Sequence, residues 1–362
     1  MVIPSRQGCF VILFSMLLVL ASAAAAQTYS VTDLGVLAGD TASEGLGVNS
    51  SGQVVGCSDT SDISGFPCSE SSPGHAFLWS SGTMQDLGVL NSGDVFSEAL
   101  YISDSGQVTG ISVDSQGNSA PFLWTESTKK MIALPTLQGA TYGLAGSITS
   151  QGIITGSSNS GANPSVIVPI AWIKSGNTYR IQELPTLPGA QVTLCCYVNN
   201  SNEGAGLVIF SSGAYHGFRV KTTGAKDLGT LPGGTFSNAQ GINSSGVIAG
   251  YSNDTSSGSN FLTVAWDPSG NIHNLGTLPG GTSSAGYDIN DSNQIVGFSA
   301  TATSASDAMI WTQKGGMKDL NNLIPPNSGW VLVLANWINN LGQITGYGTI
   351  NGENHAFLLT PQ

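Results

Sequence analysis

A segment of the form Ile-Asn-x-x-Gly-x-Ile-x-Gly recurs along the chain, and it limits the fold more than any other feature. It spans Val48–Gly56, Ile102–Gly110, Ile148–Gly156, Val198–Gly206, Ile242–Gly250, Ile289–Gly297 and Ile338–Gly346, with an interval of eight between the first and last residue each time. A second segment follows each copy: His75–Trp79, Pro121–Trp124, Ile170–Trp172, His216–Phe218, Val264–Trp266, Ala308–Trp311 and His355–Leu359. A third, Asp-Leu-Gly or a variant, begins at Asp33, Asp86, Ala133, Glu183, Asp227, Asn274 and Asp319, at intervals of 53, 47, 50, 44, 47 and 45 residues. Self-similarity at such a period belongs to solenoids, propellers and arrays, whose units bury their apolar faces against neighbours.

Each unit holds four short apolar stretches separated by Gly, Ser and Asn turns. Unit 5 shows them at Ser237–Asn243, Val247–Ser252, Leu262–Trp266 and Asn271–Leu275. Asn-Ser-Ser-Gly between the first two is hairpin chemistry, because Asn tolerates and Gly accepts left-handed backbone. Four antiparallel strands at this period predict an all-β fold, a seven-bladed β-propeller. The last unit stops after its third strand, His355–Leu359, while Tyr29–Leu34 stands alone at the other end. Pairing these two closes the ring and removes two exposed edges, which a linear solenoid does not require. Residues 27–362 therefore read as a single propeller domain.

The strings His-Ala-Phe-Leu-Trp (75–79), Asp-Leu-Gly and Ile-Asn-x-x-Gly-x-Val-x-Gly resemble the HAF-repeat family of bacterial extracellular repeat proteins, over essentially the whole chain after residue 26. The resemblance implies export and a repeat β fold, and transfers no catalytic residues. Unit 4 departs most: Asn199–Gly204 replaces the usual turn, and Arg219 stands where Leu or Ile is common.

Residues 1–26 read as a secretory signal peptide: Arg6, an apolar stretch at Phe10–Leu20, and Ala24-Ala25-Ala26 before Gln27. The apolar run is short for a membrane span, so a secreted monomer, extracellular or periplasmic, is expected. Export permits disulfides. Cys57 and Cys68 bracket one polar loop and are expected to bond. Cys195 and Cys196 are adjacent, so on a regular strand they face opposite sides, which favours two buried thiols over a vicinal disulfide. Charged residues are only 9% and the formal net charge is −12, which opposes nucleic-acid binding.

A residue that recurs at one repeat position serves packing first. His75, His216 and His355 share one position, and Trp79, Trp124, Trp172, Trp266 and Trp311 share another, where they read as core. Trp330 and Trp337 fall outside that pattern, and Trp330 after Pro325-Pro326 is the better candidate for exposure. The Asp of Asp-Leu-Gly is expected to accept backbone N–H groups at its turn. No nucleophile elbow, phosphate loop or His-rich metal pattern is present, so no catalytic residue, metal or cofactor is assigned. Asp-containing turns such as Ser103–Gly106 carry one formal charge each, too few for calcium.

Two features suggest a functional face. The loop from the second to the third strand varies from 9 to 19 residues, while the first hairpin is invariant in length. Loop variation at the crossover end suggests a binding face there. In addition, Gln27–Thr128 holds twelve carboxylates and no Lys or Arg. Asp40, Glu44, Asp94 and Glu98 sit at equivalent crossover positions of units 1 and 2, with Asp59, Asp62 and Glu70 at the same end. They form a candidate acidic rim for cations or basic partners. The resulting expectation is an extracellular binding module for a glycan or protein. The alternative is a secreted carbohydrate-active hydrolase or lyase that uses Glu44 and Glu98.

Overall fold

The computed structural model describes residues 27–60, 68, 73–255, 260–302 and 306–362. The signal-peptide reading of residues 1–26, and the rim residues Asp62 and Glu70, lie outside the described residues. Within them the chain is all-β, with one short 3-10 helix at Leu320–Leu323.

Antiparallel pairing gathers each repeat unit into four strands. Unit 1 comprises Ala42–Val48, Val54–Asp59, Gly74–Ser80 and Thr83–Gly88, and unit 2 Asp94–Ile102, Gln107–Asp114, Ser119–Thr125 and Lys130–Ala133. Unit 3 comprises Gly143–Ile148, Ile154–Ser160, Asn163–Ser175 and Thr178–Glu183, and unit 4 Ala190–Val198, Gly204–Phe210, Tyr215–Lys221 and Gly224–Asp227. Unit 5 comprises Ser237–Ile242, Ile248–Asn253, Phe261–Trp266 and Ile272–Gly276, and unit 6 Ser284–Ile289, Ile295–Ala300, Ser306–Thr312 and Gly316–Asp319. Unit 7 takes Trp330–Ile338, Ile344–Ile350 and Glu353–Pro361 from the C-terminal end, and its fourth strand is Tyr29–Gly35.

The first strand of every unit packs on the first strand of the next, and that of unit 7 on that of unit 1. The cores lie between units, built from third-strand side chains. Phe77, Phe122, Trp172, Phe218, Trp266 and Phe357 are all fully buried. The buried indole N–H groups find carbonyls: Trp172 Nε1 donates to Pro135 at 2.6 Å and Trp266 Nε1 to Leu228 at 3.0 Å. Trp79 and Trp311 are half-buried. Trp330 is not exposed as the sequence suggested: it is buried, edge-on to Phe357 at 6.1 Å between ring centroids.

Two polar devices recur at the crossovers, among the described residues the first in five units and the second in four. The Asp of Asp-Leu-Gly accepts the N–H two residues on, at Asp33, Asp86, Asp227 and Asp319, with Asn274 doing the same. Three of these carboxylates also hold the repeated histidine of the paired third strand, as His75–Asp86, His216–Asp227 and His355–Asp33. The last pair joins the two chain ends across one sheet. Buried serines of the first strands (Ser43, Ser97, Ser237, Ser284) accept an N–H from the preceding unit's third strand and donate to its Gly carbonyl. These hydroxyls are committed to backbone.

Cys57 and Cys68 form a disulfide with Cα atoms 5.9 Å apart. Cys195 is disulfide-bonded as well, which corrects the expectation of free buried thiols there. That expectation assumed regular alternation, but the strand carries a register break between Cys195 and Tyr197.

Candidate functional site: the central cavity

The first strand of every unit carries the same irregularity. Register shifts occur at Gly45/Gly47, Ala99/Tyr101, Ala145/Ile148, Cys195/Tyr197, Ala239/Gly241, Gly286/Asp288 and Ala335/Trp337. A bulge leaves one residue unpaired and re-aims its neighbours. The last Gly of the repeat lies opposite this bulge. A Cβ on Gly56, Gly110, Gly156, Gly206, Gly250, Gly297 or Gly346 would run into the carbonyl oxygen of Glu44, Glu98, Leu144, Leu194, Asn238, Ala285 or Leu334 respectively. The invariant eight-residue spacing thus records a steric requirement of the bulge.

Because of the bulges, consecutive residues line one space, which strict alternation forbids. Leu100 with Tyr101, Gly146 with Ser147, and Asn336 with Trp337 all face a cavity of about 390 Å³ between the first strands. Its wall combines Tyr101, Tyr197, Tyr287 and Trp337 with the amides of Asn238, Gln240 and Asn336. Trp337 meets Tyr101 edge-on at 5.4 Å and Tyr197 at 6.0 Å. These three rings also line a second opening of about 230 Å³ at the hairpin end, bordered by Ser50, Asp104, Asn200, Ser244, Asp291 and Asn340. Among the described residues Gln240 makes no side-chain hydrogen bond, so its amide is available within the larger cavity.

Two buried acids stand close by: Asp288 lines the second opening, and Glu44 lies behind Asn336. Glu44 Oε1 accepts from Asn336 Nδ2 at 2.6 Å, and burial pushes its carboxyl up to about 7. Asp288 Oδ2 accepts the Ile338 N–H at 3.0 Å, yet burial pushes it up to about 7 as well. Burial drives Tyr101 up to about 12 and raises Tyr197 and Tyr287 further, with nearby carboxylates adding to each shift.

The acidic rim is not assembled as the sequence suggested. Glu44 is buried at 9% exposure and Asp59 is fully buried. Glu98, at Glu44's equivalent position in unit 2, is half-buried with Oε1 3.8 Å from Cys57 Sγ. Asp40 and Asp94 are half-buried at the crossovers, and Asp94 accepts from Asn91 N at 3.1 Å and Ser112 Oγ at 2.7 Å. Other acids of the base-free stretch also serve turns: Asp104 accepts Ser50 N, and Asp114 accepts Gln116 N and Asn118 N. Charge counting missed this because a carboxylate that caps a turn and one that faces solvent look alike in sequence. The tyrosines and amides of the cavity were missed too. Their positions are aimed by the bulge, whose only sequence trace is the Gly opposite it.

Arg219, unit 4's departure from the pattern, is buried and donates to the carbonyls of Pro268 at 2.8 Å and Gly246 at 2.6 Å in unit 5. It is a joint between units rather than a ligand contact. Among the described residues no group of His, Cys, Asp and Glu is arranged to hold a metal ion, and no helix is long and apolar enough to cross a membrane.

No family model matches the chain, and no curated protein matches it by sequence. Solved structures do resemble it. A prolyl endopeptidase is similar with a TM-score of 0.56 at 10% identity, over 92% of this chain and 50% of that one. A puromycin hydrolase gives 0.55 at 10% identity, over 91% and 54%. The β-propeller domain of the Trilobed protease from Pyrococcus furiosus gives 0.44 at 7% identity, over 92% and 97%. The chain spans about half the length of the two hydrolases, and the likeness to them concerns the fold alone.

Proposed function

We propose that this chain is a seven-bladed β-propeller, closed by Tyr29–Gly35 in the last blade, and that it acts as a secreted binding module whose ligand enters the central cavity. Closure is supported by the pairing of the two chain ends, by the packing of unit 7 on unit 1, and by Asn339 Nδ2 donating to the Asn49 carbonyl at 2.8 Å. Export and kinship with HAF-repeat proteins belong to the same proposal, supported by the N-terminal segment and the repeat strings.

The observation that carries the binding reading is the cavity wall. Four aromatic rings and three amides share it with leucine side chains, and Gln240 makes no side-chain hydrogen bond among the described residues. Such a wall suits a small polar ligand with apolar faces, with rings supplying area and amides supplying direction. A hydrolase reading draws on Glu44 and Asp288, acids whose titration near neutrality suits proton transfer. Both are buried and held by protein donors, and Glu44 lines neither opening, which favours binding over turnover. A glycan array combined with a hydrolase and lyase screen tests the two. Binding that is lost in Trp337→Ala, without turnover, is the expected outcome; turnover abolished by Glu44→Gln reverses the order.

A further inference from the structure

Neighbouring first hairpins are tied together by their repeated asparagine. Its Oδ1 accepts the N–H groups two and four residues on within its own hairpin, as at Asn243. Its Nδ2 donates to the next unit's main chain: Asn49 to Ser103, Asn199 to Asn243, Asn243 to Asn290, Asn290 to Asn339 and Asn339 to Asn49. Units 2 and 3 carry Ser103 and Thr149 at this position. Both hydroxyls still accept inside their own hairpins, from Gln107 N and Ile153 N. Neither side chain has an amide to reach across, so the ladder stops at unit 2 and resumes at Asn199.

A recess of about 430 Å³ opens at this break. Tyr101, Asp104 and Asn200 line both it and the central opening of the hairpin face, so the two spaces adjoin. Its own walls add Tyr179, Gln107 and Gln151. Tyr179 is half-buried, and the Gln107 side chain hydrogen-bonds it. One carboxylate and one ammonium are present, Asp104 and Lys174, and Asp104 Oδ1 is already held by Ser50 N at 2.9 Å.

We propose that this recess between units 2 and 3 is a binding site for a neutral oligosaccharide, which extends the central site along the hairpin face. This rests on the binding-module reading. The chemistry follows from the wall. Tyr101 and Tyr179 contribute ring surface for the C–H side of a sugar ring, while hydroxyls and amides meet its edges. The opposite charges of Asp104 and Lys174 leave no local net charge to select an ion, and the chain's net charge of −12 repels polyanions. Ile148 is the only aliphatic side chain in the wall and it is buried, so a hydrophobic peptide anchor finds no seat.

The test restores the repeat. Ser103→Asn with Thr149→Asn supplies the missing amides and fills the recess; Tyr179→Ala, at the outer wall, removes a ring without adding a bridge. Calorimetric titration of the parent, both variants and Trp337→Ala uses soluble hexamers of β-1,4-glucose, α-1,4-glucose, β-1,4-mannose, β-1,4-xylose and β-1,4-N-acetylglucosamine. The expected result is that the parent binds at least one hexamer and that both recess variants weaken it about tenfold or more, with melting temperature held or raised in the asparagine variant and lowered in Tyr179→Ala, whose ring packs on the core. Unchanged hexamer affinity in both recess variants overturns the proposal; if Trp337→Ala alone abolishes binding, the cavity reading survives. A parent that binds none of the hexamers also overturns it, and the glycan array then decides the cavity reading separately.

Discussion

Two seams of the molecule use the same repeat to different ends. Where unit 7 meets unit 1, Asn339 reaches the Asn49 carbonyl, Asn336 holds both Glu44 and the Gly45 carbonyl, and Ser43 captures the N–H of Ala356. Where unit 2 meets unit 3, the hairpin asparagines are replaced by Ser103 and Thr149 and the gap is a polar recess. The seam of units 7 and 1 is thus bonded along its length, while at that of units 2 and 3 Thr109 still donates to the Gly146 carbonyl and Ser119 pairs with Gly143, but the hairpin ends are left unbridged. The chain is continuous between units 7 and 1 as well, through residues 36–41; what lacks a tether is the pairing of Tyr29–Gly35 with Glu353–Pro361 inside unit 7, which strand pairing and side chains must hold alone.

Breaking the terminal seam gives the largest expected effect. Deleting residues 27–35 exposes the edge of Glu353–Pro361 and removes buried Tyr29 and Leu34 together with the Asp33–His355 pair. Calorimetry should show a loss of at least about 5 kcal/mol, comparable with the whole margin of an ordinary domain. An unchanged melting temperature refutes closure through this strand.

The pH dependence should also be concentrated at unit 7. Glu44 and Asp288 bond to Asn336 and Ile338 of that unit, and each titrates near 7 when folded, above its value of about 4 in the unfolded chain. The folded state therefore holds more protons between these values. The stabilisation is complete below pH ~4 and is lost as pH rises through ~7, on the order of a few kcal/mol. Melting temperature should fall from pH 5 to pH 8, and Glu44→Gln should flatten that fall. A Gln variant with the parent's pH profile excludes Glu44 as the source.

The hairpin ladder permits a matched pair of substitutions. Asn339 makes four side-chain hydrogen bonds, to Asn49, Leu341 and twice to Gln343, so Asn339→Ala should cost about 2–4 kcal/mol. Ser103→Ala loses the bond from Gln107 N and the contact with Ser105, and should cost about 1 kcal/mol. Equal costs in urea titrations would mean that the ladder does not distinguish the seams.

The smallest effect belongs to the crossover acids that remain partly exposed. Asp40→Asn with Asp94→Asn should weaken binding of a cationic peptide by no more than about 1 kcal/mol at low salt. The effect should fade as ionic strength rises. Equal affinity for parent and variant at low salt assigns these carboxylates to turn capping and solubility alone.

The strands were legible in sequence because their determinants are local. Alternation, turn residues and repeat spacing marked the unit 5 strands to within one residue, and the orphan Tyr29–Leu34 pointed to its partner. The Asp-Leu-Gly turns were legible for the same reason: a carboxylate two residues from an N–H finds it whatever the rest of the chain does. The disposition of the first strands required tertiary structure. A bulge slips the register by one residue and so reverses which side chains face inward; Tyr101, Gln240 and Trp337 reached the cavity this way, while Glu44, ahead of its own bulge, is buried against Asn336. The Asn ladder likewise spans some 50 residues of sequence per bond, and its break at Ser103 and Thr149 has meaning only once neighbouring hairpins stand side by side. Sequence by itself determined the elements and their order. Tertiary structure decided which faces look inward and which hairpin ends stay unbridged, because both depend on distances between units that no local pattern encodes.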